Sequence, residues 1–282
     1  MDESVPLDSL YSAPIDQGLI DDQALVEASG LAYSRQMPGK LWAHNDSGDE
    51  SRLFLLNEQG KVQGTLSLPG IEARDWEDMA LGPGPQPGVN YLYIGEIGDN
   101  KAQYSTKTIY RLPEPDLAGE KASFQKKADK QQIESIRFRY PDGNRDAESL
   151  MIDPLARDLF VVSKREDSVR VYRAAFPQAT NKVITLEKVG QLHFTKATAG
   201  DISADGQKIL IKNYANLYYW QRKPGESVAD ALKRPPVRLP YTREPQGEAV
   251  AWQPDATAFF TLSEEREGVK PQLYRYVMNN DQ

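Results

Sequence analysis

The chain has 282 residues, 41 of them acidic against 34 basic, and no cysteine. The missing cysteines exclude disulfides, thiol nucleophiles and thiolate metal sites, and the net charge of −7 argues against nucleic acid, whose binding rests on clustered Lys and Arg. Hydrophobic residues at 39% and charged residues at 27% suit a soluble β protein, and no apolar run approaches a membrane span.

Residues 1–18 are polar, with Pro6 and Pro14, and read as a loosely held arm. Met1-Asp2-Glu3-Ser4 has neither the basic nor the apolar character of a signal peptide. Residues 19–26 are expected to form a strand running straight into Ser29-Gly30-Leu31-Ala32. That phrase, an acidic or small residue opening an apolar strand, then returns four times. The copies are Glu77-Asp78-Met79-Ala80, Glu148-Ser149-Leu150-Met151, Gly200-Asp201-Ile202-Ser203 and Glu248-Ala249-Val250-Ala251, spaced by 48, 71, 52 and 48 residues. Periods of about 40–50 residues, each holding several short strands, are the signature of propeller blades.

Within each unit, two further runs follow the phrase. The first unit continues at 41–43 and 52–56, the second at 91–94 and 108–112, and the third at 159–161 and 171–172. The fourth continues at 209–211 and 217–218, the fifth at 259–261 and 273–274. The runs are β-branched and aromatic, with Gly, Pro, Asn or Asp between them, so they read as strands. A Lys-, Glu- and Ala-rich insert at 113–130 accounts for the one long interval, and residues 133–140 alternate like an outer strand. The last blade has three strands, so residues 19–26 are its natural fourth, pairing beside 273–277 and closing the ring. The expectation is a single all-β domain over residues 19–282, a five-bladed propeller with six blades as the alternative.

In such a blade the innermost strand begins on the rim where the second strand ends. Glu77, Glu148 and Glu248 therefore share a rim with the loops holding His44, Asn45 and Asp46, then Asp99 and Asn100, Lys164 and Arg165, Asn213 and Tyr214, and Glu264. Three glutamates around one channel repel one another and are penalised by burial unless a cation joins them. Oxygen ligands without Cys favour calcium, with magnesium second. The competing reading is that these glutamates cap backbone amides or pair with Lys164, Arg165 or Lys212. His44 is a candidate general base, with a packed rim histidine as the plainer alternative. Asp46 and Asp99 are the other proton-handling candidates, and Trp76, Asn100, Lys164, Arg165, Tyr214 and Glu264 are candidate ligand contacts. The four tryptophans are expected to pack between blades. Asp142-Gly143-Asn144-Arg145-Asp146 alternates oxygen residues like a calcium loop but lacks its glycine at the sixth and glutamate at the twelfth position.

With these residues in view, the chain resembles a group of bacterial propellers whose phrases are similar to LWAHNDSGD (41–49), RDWEDMA (74–80), YIGEIGDN (93–100), DAESLMIDP (146–154), TAGDIS (198–203) and QGEAVA (246–251). Wider relatives include phytase-like propellers and calcium-dependent lactonases of the gluconolactonase type. In the latter, acidic and amide residues at the channel mouth hold a divalent metal that polarises the substrate. By position, the resemblance implies Glu77, Glu148 and Glu248 as ligands, with Asn45, Asp46 and Asn213 beside them. The functional expectations are a calcium-assisted hydrolase of an ester, lactone or phosphoester, or a non-catalytic propeller that binds a small polar ligand or a protein. A periplasmic or secreted monomer is expected in both cases.

Overall fold

In the computed structural model, residues 7–20 and 22–279 are described. They form five sheets, each an antiparallel blade of four strands, and two blades carry one extra parallel strand. The innermost strands are Ala28–Tyr33, Trp76–Pro83, Ala147–Ile152, Ala197–Ile202 and Gly247–Trp252. Each innermost strand packs against those of the neighbouring blades around one axis, so the fold is a five-bladed β-propeller. The two extra strands are Phe124–Lys127, parallel to Val62–Ser67, and Ile184–Thr185, parallel to Glu134–Arg139. The first lies in the insert at 113–130, whose polar composition gave no strand signal.

The core explains why the strands read as they do. Successive side chains on a strand point to opposite faces. Accordingly, Leu150 and Ile152 pack toward the second blade, while Met151 between them packs toward the fourth. Each of the five blade interfaces has its own apolar cluster. Trp42, Trp76, Trp220 and Trp252 are all fully buried in these clusters. Trp76 therefore packs rather than facing a ligand, and its Nε1 donates to the Glu72 carbonyl at 3.0 Å.

Closure uses an N-terminal strand, but four residues earlier than expected. Ile15–Leu19 pairs antiparallel with Gln272–Val277, Ile15 opposite Arg275 and Leu19 opposite Gln272. The apolar residues that suggested a strand at 19–26 are used differently. Ile20 and Leu25 plug the interface between the fifth and first blades, across a turn in which Asp22 accepts from the amides of Ala24 and Leu25 at 2.8 and 3.2 Å. Within the expected arm, Tyr11 is buried against Trp252 and Phe259 and donates its hydroxyl to the Ala256 carbonyl at 3.0 Å. Met1 to Pro6 of that arm, and Asp21 of the expected strand, lie outside the described residues.

All five innermost strands share one irregularity. Their pairing with the second strand skips one residue at 28/30, 147/149, 197/199 and 247/249, and two, opposite one, at 76/79. A bulge of this kind leaves one residue outside the ladder and re-aims its side chain. The residues in register at the bulges are Ser29, Glu77, Glu148, Thr198 and Glu248. In the fourth blade this is two residues before the repeat phrase at Gly200, because the tertiary register, not the local apolar pattern, aligns the strands.

Candidate metal centre

The bulges and the second-strand loops meet on one rim, as the topology requires. Glu77 belongs to two carboxylate groups there. It gathers with Asp46 and Asp75, and again with Asp146 and Glu148, the ligand oxygens of each group lying within 4.8 Å of one another. Glu248 stands on the far side of Lys164, whose ammonium contacts Glu148 Oε1 and lies 3.7 Å from Glu248 Oε1. Tyr214 closes this arc, donating its hydroxyl to Glu248 at 2.5 Å and accepting from Lys164 Nζ at 3.0 Å. Glu264 joins through a hydrogen bond with Glu248 and takes the amide of Gln246 at 2.5 Å.

The electrostatics are lopsided. Asp46, Asp75, Glu77, Asp146, Glu148, Glu248 and Glu264 are seven carboxylates, and among the described residues two cations contact them, Lys164 and Arg165. Burial and then the charges of Glu148, Asp46 and Asp75 hold Glu77 well above the usual carboxylate range. Burial likewise raises Glu148, against the opposing pull of Lys164. Asp46 is pushed up to about 7 by burial and then by Asp75 and Glu248. Burial also raises Glu264, to about 10, followed by its hydrogen bond with Glu248 and that group's charge. Lys164 shows the converse, its ammonium held by Glu148 and Glu248 despite burial.

Two oxygens are left over. Glu148 Oε2 and Asp46 Oδ1 are buried and have no hydrogen-bond partner among the described residues. A loop glycine makes room for the group. A Cβ on Gly98 would sit 2.1 Å from Glu77 Oε1 and 2.5 Å from Asp75 Oδ2, so only glycine lets that loop cover the carboxylates. An oxygen-only cage with uncompensated negative charge and two idle buried acceptors fits a hard divalent cation.

Several expected site residues have other work. His44 is fully buried edge-on to Trp76 at 5.4 Å, and burial depresses its basicity to about 4. It fits because Gly30 leaves space that a Cβ would close to 2.1 Å from His44 Nε2. It is thus packed in the core beneath the rim, as the plainer of the two alternatives has it. Asp99 forms a buried ion pair with Lys107 at 2.6 Å and accepts from the amides of Gln103 and Tyr104. Its own amide donates to Asp146 Oδ1 at 2.8 Å, so Asp99 is tied on one side to Lys107 and on the other holds Asp146 in place. Asn45 and Asn213 brace loops: Asn45 Oδ1 accepts from the Glu27 amide, and Asn213 Oδ1 from Ala215 and Asn216. Asn100 is exposed on the loop beyond Asp99, and Arg165 reaches in to Asp146 at 2.5 Å. Lys212 is fully buried, donating to the Gly247 carbonyl 3.8 Å from Glu244. Lys164, not Lys212, is therefore the ammonium at the acidic mouth. Asp142 is consumed by Arg145, Arg170 and Tyr172, so the loop at 142–146 is an ion network that contributes only Asp146.

Asp75 and Asp146, absent from the expected ligands, each precede an innermost strand by one residue, and that shared offset was the available signal. Asp78 had none. It is buried at the axis, its Oδ2 accepting from Leu150 and Gly200 of the next two blades at 2.9 and 3.2 Å, its Oδ1 from Met79. Asp78 thus ties the innermost strands of the second, third and fourth blades together beside the acidic centre.

No protein-family model matches the chain, and no curated protein matches it. Among solved structures the chain is similar to one described as "Crystal structure of Nidogen/Laminin Complex", at 11% sequence identity, over 85% of this chain and 73% of that chain, with a TM-score of 0.48.

Proposed function

We propose that this chain is a divalent-cation-binding propeller, with calcium the preferred ion, held by Glu77, Glu148, Asp146, Asp75 and Asp46 at one mouth of the axis. The observation that carries the reading is Glu77 shared between two carboxylate groups while Glu148 Oε2 is buried without a hydrogen-bond partner among the described residues. Calcium takes six to eight oxygens in flexible geometry, whereas magnesium keeps more of its waters, so a crowded carboxylate cage favours calcium. A cation there would polarise a substrate oxygen and supply Lewis-acid chemistry for an ester, lactone or phosphoester. In that finer form Asp46, with its carboxyl near neutrality at the edge of the group, takes the proton from water. A second reading, a binding propeller without turnover, is favoured by the burial of His44 and the pairing of Asp99 with Lys107. Either form suits a compartment outside the cytoplasm, where calcium is abundant.

The test is a set of melting curves in calcium, magnesium and chelator, on the parent and on Glu148→Gln. Calcium should raise the parent's melting temperature more than magnesium does, because a ligand that binds only the native state stabilises it. Glu148→Gln should abolish that rise. A parent indifferent to calcium overturns the reading. A panel of esters, lactones and phosphoesters then separates the two forms: calcium-dependent turnover supports hydrolysis, and none with calcium bound supports the binder.

A further inference from the structure

Beside the acidic centre, on the same rim, lies a cavity of about 690 Å³ built by the approaches to the fourth and fifth blades. Its character is opposite. Lys196, Arg243 and Arg266 line it together with His193, against a single acidic residue, Asp167. The chain as a whole carries −7, so this concentration of positive charge is local. Among the described residues neither Lys196 nor Arg243 has a carboxylate within ion-pair distance, and Arg266 engages only the neutral amide of Gln246. Elsewhere on the rim the cations are paired: Arg165 with Asp146 and Arg145 with Glu166.

The cavity is also a built feature. Phe194 stacks on Tyr218 with ring centroids 4.1 Å apart and 8° between planes, giving one wall a rigid aromatic backing. Lys196 has φ of 59°, a left-handed conformation that few non-glycine residues adopt, and its amide donates to the Lys164 carbonyl at 2.8 Å. The strained turn is thus tied to the segment whose ammonium meets Glu148 and Glu248. Tyr214 lines the cavity and bonds Glu248, so it is the wall shared by the basic cavity and the acidic group.

The geometry points to this cavity as the subsite for an anionic group of a small organic ligand, with Lys196, Arg243 and Arg266 taking its carboxylate or phosphate oxygens. Guanidinium groups match both oxyanions by paired hydrogen bonds, and a cavity of this volume admits a molecule of metabolite size. The ligand would span the rim, its anion among the three cations and another oxygen directed past Tyr214 to the carboxylate cage. The inference rests on the reading of this rim as the ligand-binding face, but not on the identity of the ion.

Titration calorimetry at constant ionic strength tests it, with citrate, glucose 6-phosphate and neutral glucose as probes, on the parent and on the double variant Lys196→Gln, Arg243→Gln. Both positions are exposed, so the variant should fold, and an unchanged melting curve with calcium verifies this. At least one anion should bind the parent, glucose should not, and the double variant should bind that anion roughly tenfold more weakly or worse. Preference for citrate or for glucose 6-phosphate assigns the subsite to carboxylate or phosphate. Absence of anion binding, equal binding by glucose, or an unaffected double variant overturns the inference. Anion binding in a parent that ignores calcium supports the subsite and sinks only the metal reading.

Discussion

Five bulges occupy equivalent places in the five blades, yet they divide into two kinds. In the first and fourth blades the bulged residue is a hydroxyl that ties one blade to the next. Ser29 donates to the Glu77 carbonyl, and Thr198 Oγ1 donates to the Gly247 carbonyl at 3.1 Å. In the second, third and fifth blades it is a glutamate, and the result is a crowd of carboxylates that, among the described residues, only Lys164 and Arg165 contact as cations. The backbone device is one; the side chain decides whether it stitches the ring or charges it. A second contrast lies one layer down. Asp78 and Asp201 are also buried carboxylates, but each is surrounded by backbone amides, Asp201 accepting from Trp252 and Ile202 at 2.7 and 2.8 Å. Asp78 and Asp201 brace the axis through their amide donors, whereas Glu77 and Glu148 crowd against other carboxylates.

The severest way to break this comparison is to turn a stitching bulge into a charging one. Ser29→Glu adds a buried carboxylate next to Glu77 with no further cation, and should cost about 3–5 kcal/mol in chemical denaturation without metal. Added calcium should recover part of the loss. A variant as stable as the parent would mean the rim is far wetter than its burial implies.

The amide-bound layer is tested by pH. Burial pushes Asp201 up to about 7, against the pull of its two amide donors and Arg35. The folded state therefore binds more protons than the unfolded chain between about 4 and 7. Its contribution is complete below that window and declines as the pH rises through it, by on the order of 4 kcal/mol. The destabilisation by Asp201→Ala should accordingly be larger at pH 4.5 than at pH 8. A difference independent of pH would show that the two amides keep Asp201 ionised throughout.

Glu148→Gln sharpens the distinction at a charging bulge. At a hundredfold excess of calcium over its dissociation constant the parent gains about 2.7 kcal/mol, and the variant should lose that gain. Without metal it should stay within about 1 kcal/mol of the parent, since relief of the repulsion from Glu77 and Asp146 offsets the lost contact with Lys164. The smallest effect belongs to a stitching bulge. Thr198→Val keeps the shape and removes one hydrogen bond, while Lys212 still donates to the Gly247 carbonyl, so about 1 kcal/mol should be lost with no change in calcium response.

Much of this molecule was legible in the chain. Alternating apolar runs broken by Gly, Pro, Asn and Asp determine the strands, and their recurrence determines the number of blades, because each unit has a face it cannot bury alone. The antiparallel order of strands places Glu77, Glu148, Lys164 and Tyr214 on one rim without any coordinates. The tertiary structure decided which of those residues face one another. Asp78 reaches amides 72 and 122 positions away, Asp99 aims its amide at Asp146 across 47, and nothing local encodes such bonds. Likewise His44 and Glu148 looked alike as polar residues on a shared rim. A glycine opposite His44 let it sink into the core, whereas a bulge turned Glu148 out of the ladder, and both outcomes depend on how two distant strands come into register.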